Sequence, residues 1–457
     1  MGQLTESIVE FLCGTALDSP PDESVALATD GFTDCVAVML AGHDAAVTSN
    51  LQTYVDATGG SAQSRVLLGT KKVTAAQATL VGVGAAHALD FDDYAYSNHV
   101  SALLVPAILA EAERCGANGA EMLAAYVAGF EAWAAVFKRE PDHLHSKGWH
   151  PTGVFGPIGV VAALARLRRL SAVQTRNALG LAVASGGGVM DNFGAQSKPY
   201  QGARAAEAGV VCVELALAGV DAGPNAIDGP GGLLAALSPR GKADIESAAD
   251  WLGNKWLSAG PNLNIKMHPT VGASQRCIDA AIQMHQYFTA NKQSLADTQR
   301  VVARISEKHA AVMRFHEPRN ALEAKFSLEF GVAAGLLAGR VGLAEVTDTF
   351  VQRDDVQGLL RKVELEIGPD DDPDYPVGAV SDSLLVELRD GSHHESEPVR
   401  RFRGHGHNPM NADEFKQKFD DCVVPGFGQQ SADDLFAQLR NLREIESTDA
   451  IAVLTPL

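Results

Sequence analysis

From the N-terminus to about residue 260 the chain repeats one pattern: stretches rich in Ala, Leu and Val with helical period, separated by short Gly- or Pro-rich connectors. Segments around 75–89, 101–115, 119–138, 153–168, 171–185 and 202–218 place apolar residues at i, i+3 and i+4, with few β-branched runs. The connectors are of the type Gly116-Ala117-Asn118-Gly119 and Gly229-Pro230-Gly231-Gly232. Several stretches are apolar on nearly every face, which predicts a thick helical core rather than a thin bundle. Hydrophobic residues make up 46% of the 457 and charged residues 20%, ample for a large core and unlike a disordered chain. The 44 glycines and the low aromatic content, 6%, suit helices that touch through small residues.

The texture changes after about residue 268. A helix near 270–288 precedes strand-like runs at Arg300–Ser306, Val363–Ile367 and Ser383–Leu388, and a helix over about 321–338 lies among them. Asp390-Gly391 suits the type I′ turn of a hairpin. From Arg400 the chain becomes rich in Gly, His and Pro and then helical again, at about 411–420 and 431–443. The length alone suggests two domains. The expected fold is mainly α: a large helical domain (1–267), an inserted smaller α+β domain (268–400), and a C-terminal return to the helical domain (401–457).

The formal net charge is −19, which disfavours non-specific binding to nucleic acid. An acidic protein that binds an anion must make its site locally basic, so the few Lys, Arg and His residues inside apolar surroundings are informative. No apolar run reaches the ~18 residues of a membrane span, and the N-terminus has no basic segment leading into an apolar one. The six cysteines lie far apart with no C-x-x-C pair, which points to reduced thiols and a cytoplasmic protein. The same spacing offers no zinc or iron–sulfur site. Ser185-Gly186-Gly187-Gly188 follows a helix and lacks a P-loop lysine, so it reads as close helix packing. Asp92 and Asp93 have no further acidic partners for Mg²⁺ nearby. No metal and no cofactor are expected.

Three features could carry chemistry. The first is His87-Ala88-Leu89-Asp90-Phe91-Asp92-Asp93, followed by Ser97-Asn98-His99-Val100-Ser101 at the start of the next helix. A carboxylate beside a histidine fixes its tautomer and raises its basicity, as general acid–base work requires. The same residues also read as helix caps (Ser97, Ser101) and a solvated acidic turn. The second is His150-Pro151-Thr152-Gly153. Proline at the first helical position puts His150 at the N-cap, where free N–H groups and the positive dipole end favour an anion. His268-Pro269-Thr270 repeats the triplet and predicts a second such helix start; simple capping is the alternative for both. The third is Gln196-Ser197-Lys198-Pro199-Tyr200-Gln201-Gly202, with Arg204 beyond. A lysine before proline is expected to be extended, and Lys198 and Lys266 suit the role of carboxylate clamps. Lysines on surface loops are the alternative.

At these residues the sequence resembles the MmgE/PrpD family, which includes 2-methylcitrate dehydratase, cis-aconitate decarboxylase and iminodisuccinate epimerase. The matching stretches are HALDFDDYAYSNHVSALLVPAILAEAE, GWHPTGVFGPIGVVAALARL, SKPYQGARAAEAG, EAKFSLEFGVAAGLL and GLAEVTDTFVQRDDVQGLLRKV, in the family order. The resemblance implies a helical domain with a smaller α+β lid, an active site in the cleft between them, and a homodimer. It assigns Asp90, His99, His150, Lys198 and Lys266 to the centre of the site. Three positions depart from the pattern. Tyr94 stands where the decarboxylases carry a threonine, in a loop one residue shorter. Val271 replaces an expected histidine, with His268 close by. The lid tyrosine expected near Val312–Phe315 is absent, leaving Arg314 and His316.

The resemblance and the local chemistry together predict proton transfer next to a carboxylate. His99 and His150 form the proton-transfer pair and Asp90 orients one of them. Lys198 and Lys266 clamp carboxylates, and Arg204, His268 and Tyr94 are further substrate contacts. The expected activity is a lyase on a small di- or tricarboxylate, a dehydratase or decarboxylase. The alternatives are a dicarboxylate epimerase and a non-catalytic binding protein on the same scaffold.

Overall fold

A computed structural model describes residues 2–374 and 378–457. The chain is mainly α-helical with small sheets. It divides into two compact units, one comprising Met1–Asn192, Gln196–Ile265 and Ala412–Leu457, the other Phe193–Ala195 and Lys266–Asn411.

The first unit is helical. Its elements are α1 (Gln3–Cys13), α2 (Asp22–Ala41), α3 (Ala46–Thr58), α4 (Ala75–Ala88), α5 (Val100–Cys115), α6 (Gly119–Phe137), α7 (Pro151–Leu167), α8 (Ala172–Val183) and α9 (Ser197–Leu217). The C-terminal helices Ala412–Phe427 and Gln429–Arg440 belong to the same unit. The helix starts are written locally. Thr74 with Gln77, Asn118 with Glu121, and Ser171 with Gln174 form reciprocal capping boxes at α4, α6 and α8. Gly116, in the left-handed region at φ 72°, ends α5 and returns its N–H to Ala112 O.

Helix α7 is the centre of this unit: every residue but Arg166 is buried, and it packs against α5, α6, α8 and α9. A helix apolar on all faces can be stable only in such a position. Its contacts are made by small residues. A Cβ on Gly159 would lie 2.3 Å from the Trp133 ring of α6, and one on Gly209 of α9 would lie 2.7 Å from Val160.

One expectation needs correcting. Helices Asp22–Ala41 and Gly119–Phe137, with 20 and 19 residues, are long and apolar enough to cross a membrane by length and composition. Asp30 and Asp34 interrupt the first and Glu121 and Glu131 the second, so a search for unbroken apolar runs passes over them. In the structure 72% and 83% of their most apolar windows are buried, as in core helices.

The second unit holds a four-stranded sheet in the order Val363–Gly368, Thr298–Ser306, Ser383–Leu388, His393–Glu395. The first pair is parallel and the others antiparallel, with Val301 opposite both Val363 and Val386. Helices Gln275–Ala290 and Leu328–Ala338 pack on each other through Gly331 and Gly335, whose added Cβ atoms would lie 3.0 Å from Ile278 and 2.8 Å from Ala281.

Three local expectations differ from what forms in this unit. The hairpin turn is not type I′, because only Gly391 (φ 88°) is left-handed; Gly391 N–H closes a turn onto Leu388 O. The helix expected over 321–338 is broken, since Ser327 accepts from Phe330 N and starts a new helix there. His268 does not open a helix: Gln275–Ala290 begins seven residues later, and Gln275 uses its side chain to tie down His268 and Thr270.

Candidate active site

The loop between α4 and α5 carries the first unit's densest group of buried charges. Asp90, Tyr96 and Ser97 all have left-handed backbones, with φ of 53°, 52° and 59°. For non-glycine residues this conformation costs roughly 1–2 kcal/mol each and persists only where the surroundings over-determine it. Tyr94 exchanges both backbone hydrogen bonds with Asn264, at 2.9 Å each, and Ala95 does the same with Asn98. Phe91, Asp92 and Asp93 are buried.

Asp92 is the hub of the loop. Its Oδ2 accepts from His99 Nδ1 at 2.7 Å and its Oδ1 from His87 Nδ1 at 3.2 Å. His87 closes α4 and His99 is the N-cap of α5, so one carboxylate joins two helix ends. Burial works to raise the Asp92 carboxyl, but the two imidazoles beside it hold it well below the ordinary range. An ionised Asp92 accepts from both Nδ1–H groups. Each ring therefore keeps its proton on Nδ1 and its lone pair on Nε2.

The structure changes the expected assignment of carboxylates. Asp92, not Asp90, orients His99. Asp90 Oδ1 instead accepts from Lys198 Nζ at 2.7 Å, in a pair with both partners almost fully buried. Lys198 Nζ also stands 3.4 Å from His99 Nε2. Lys198 is not extended as its proline neighbour suggests. It lies in the first turn of α9, where Pro199 has no intrahelical acceptor to lose.

His150 is the N-cap of α7, with Pro151 at the first helical position. Gln201 fixes its tautomer. The Gln201 Oε1 accepts from Val189 N at 2.7 Å and Asn192 Nδ2 at 2.8 Å, which turns its amide nitrogen toward His150 Nδ1 at 3.1 Å. The Nδ1 of His150 is thus an acceptor and its proton sits on Nε2, opposite to His99. The rings of His99 and His150 have centroids 6.4 Å apart, and His87 lies between them at 4.2 and 6.0 Å.

All three imidazoles are held toward the neutral form. Burial is the main cause and the Lys198 ammonium the next for His87 and His150. Burial pushes His99 down to about 3, with Asp92 opposing and Lys198 assisting. As pH falls below about 6.5 the unfolded chain takes up a proton that folded His99 refuses until about pH 3. His99 thus contributes stability that is present above pH ~6.5 and lost toward acid, by at most about 1.4 kcal/mol per pH unit. His99→Gln should flatten the pH dependence of the unfolding free energy in that window. An unchanged slope in urea titrations at several pH values would refute the depressed value.

The start of α7 is positioned by the glycine run after α8. His150 N–H donates to Gly188 O at 3.0 Å and Gly187 N–H to Gly153 O at 2.9 Å. A Cβ on Gly153 would lie 2.1 Å from Gly187 O, and Gly188 sits at φ 132°. Gly153→Ala should therefore cost about 1–3 kcal/mol by forcing these backbones apart, seen as a lower denaturation midpoint, and should displace His150.

Of the residues singled out in the sequence, Asp90, His99, His150 and Lys198 lie in this cluster. Tyr94 is partly buried and contributes its backbone to the loop. Arg204 is turned away, exposed and paired with Glu207 at 3.2 Å beside a surface groove. Lys266 and His268 belong to the second unit and are buried. There His268 is tied through Nδ1 to Val341 O and through Nε2 to Asp279, at 3.0 Å each. His87, Asp92 and Gln201 received no role from the sequence. Gln201 had a signal: once Lys198 is placed on a helix, Gln201 at i+3 shares its face.

Ligand atoms of His87, His99 and His150, and of His87, Asp90, Asp92 and His99, lie within 4.8 Å of one another, groups that could hold a metal ion. The expectation of no metal came from spacing along the chain, which cannot reveal histidines gathered from three helix ends. Two features bear on the fit: Asp92 already engages two of the imidazoles, and the Lys198 ammonium stands beside the Nε2 that a metal would use.

The MmgE/PrpD N-terminal domain model matches residues 6–246 and the MmgE/PrpD C-terminal domain model residues 268–442. The chain belongs to the MmgE/PrpD family. Among its relatives, cis-aconitate decarboxylase of Homo sapiens is 27% identical over 389 residues, covering 82% of this chain and 78% of the relative. The Mus musculus cis-aconitate decarboxylase is 26% identical over 390 residues with the same coverage. That of Aspergillus terreus is 23% identical over 326 residues, covering 67% and 66%.

Proposed function

We propose that this chain is a lyase acting on a small di- or tricarboxylate of the 2-methylcitrate/cis-aconitate class, by proton transfer between His99 and His150. The reading rests on the opposed tautomers of these two histidines beside a buried lysine. His99 Nε2 is the base, because the Asp92 carboxylate holds the Nδ1–H by a hydrogen bond and stabilises the imidazolium that forms. His150 Nε2–H is the acid. Lys198 offers its ammonium to a substrate carboxylate, with Asp90 fixing its position. In a dehydration, His99 takes the proton next to the carboxylate while His150 protonates the departing hydroxyl, giving water and a C=C bond. In a decarboxylation, the C–C bond breaks to release CO₂ and His150 protonates the carbon left behind. Family membership and the decarboxylase relatives support a lyase.

Incubating the protein with citrate, 2-methylcitrate, cis-aconitate and related acids in D₂O, followed by NMR, tests the proposal. A lyase makes or consumes a C=C bond, whereas an epimerase only exchanges deuterium into substrate. No change in any polycarboxylate would refute both. The chemistry assigned needs no metal, so prior treatment with a chelator should leave turnover unchanged. Loss of activity restored by adding a divalent metal would reverse that assignment.

We propose further that the protein works in the cytoplasm as a homodimer. Tyr200, Val211 and Leu215 on the outer face of α9, with Tyr54 of α3, line a groove of about 470 Å³ and are exposed apolar groups suited to a second copy. Leu215→Glu is expected to convert the dimer to monomer in light scattering; a wild-type monomer would contradict the assembly.

A further inference from the structure

Beneath the α4–α5 loop lies a second group of buried charges that the proton transfer does not use. Helix Ala412–Phe427 packs along α2 and brings Lys418 to the loop from 327 residues away. The Lys418 Nζ donates to Phe91 O at 3.0 Å, pairs with Asp34 Oδ1 of α2 at 2.5 Å, and lies 4.2 Å from the centre of the Phe91 ring. Lys418 and Asp34 are both almost fully buried, at 4% and 1% exposure.

Phe91 is flanked by Asp90, in its left-handed conformation, and by Asp92, the hub of the two imidazoles. A strained backbone holds its shape only while its neighbours prevent relaxation. The carbonyl of Phe91 belongs to the peptide that leads into Asp92, and it is the atom Lys418 grips. The Asp34 and Asp93 carboxyl groups lie near this one ammonium, with Asp92 beside both of them, and Cys35 and Cys422 pack in the same region. Asp93 is buried beside Asp34 and on the side of the Ser101 hydroxyl. Burial drives the Asp34 and Asp93 carboxyls upward, with the Lys418 ammonium opposing, while the two imidazoles hold Asp92 low.

We propose that Lys418 is a positioning residue for the His99 base. By holding Phe91 O and Asp34, it fixes the backbone carrying Asp90 and Asp92 and with it the direction of His99 Nε2. Its link to catalysis rests on the lyase reading above; its effect on the geometry of His99 does not.

The test uses the full chain and the paired variant Lys418→Met with Asp34→Asn, which removes the buried charges together and leaves neither unpaired. Two readouts are taken: kcat and KM on whichever polycarboxylate the wild type turns over, and the Nδ1–H resonance of His99 in ¹⁵N-histidine-labelled protein. The expected result is a kcat about 10- to 100-fold lower with little change in KM, together with a shifted or broadened His99 resonance. Lys418→Arg, which keeps charge and donors, should restore part of both. A folded paired variant with wild-type kcat and an unmoved resonance would overturn the proposal. So would a loss of kcat with the resonance unmoved, since His99 would then be in place. Should the paired variant fail to fold, Lys418→Gln, which removes the ammonium and is too short to keep the grip on Phe91 O, is read in the same way: an unmoved resonance and unchanged kcat count against the proposal. Should the wild type turn over no polycarboxylate, the lyase reading falls and the resonance still decides the role of Lys418.

Discussion

His99→Gln is expected to lower kcat about 10²- to 10⁴-fold, the usual worth of a positioned general base, while the protein stays folded. Glutamine keeps a polar side chain of similar reach, and its amide can still donate to Asp92, so the loop loses little. What disappears is the lone pair that His99 Nε2 presents because Asp92 engages Nδ1 at 2.7 Å. KM should move much less than kcat, since Lys198, the proposed carboxylate clamp, is untouched. The measurement is steady-state turnover with circular dichroism as the control for folding. A variant within threefold of wild type would remove His99 from the mechanism.

Lys198→Met should have the largest effect on stability. Its ammonium and the Asp90 carboxylate are 2.7 Å apart and both almost fully buried, so removing the cation leaves an unpaired charge inside the protein. The expected cost is about 3–5 kcal/mol, read as a lower urea midpoint with an unchanged slope. Adding Asp90→Asn should recover much of that stability, because the orphaned charge is then gone. It should not recover activity, since the substrate clamp is still missing. Full recovery of turnover in the double variant would show that Lys198 serves only to balance Asp90.

The sequence made the helical framework legible because its signals are local. Helices α4, α6 and α8 start at reciprocal caps that can be read three residues apart, and the glycine run Gly186–Gly188 packs closely against α7. His150 could be placed because Pro151 marks the first turn of a helix. The errors arose where tertiary context decides. The rule for a residue before proline made Lys198 extended, yet a first-turn proline costs a helix nothing. His268-Pro269-Thr270 copies the triplet at His150 but lacks a helix behind it, and Gln275 holds it instead. Asp90 and Asp92 are two residues apart, and only the fold shows that one faces a lysine and the other two imidazoles. Lys418 left no mark in its own segment: a lysine in an amphipathic helix reads as solvated, and its buried setting is supplied by α2 and the α4–α5 loop.

That Asp92 is shared by two histidines limits how the site can be charged. One carboxylate can offset one imidazolium, and a second proton arriving on His87 while His99 is protonated would place an uncompensated positive charge beside Lys198 in a buried setting. The two rings therefore compete for a single vacancy. Under the proposed proton transfer the centre would be a store with room for one proton, to be emptied before the next substrate is processed. Its rate of refilling and discharge, rather than bond cleavage, then becomes a candidate for the slow step. A solvent isotope effect on kcat larger than that on kcat/KM is the corresponding signature.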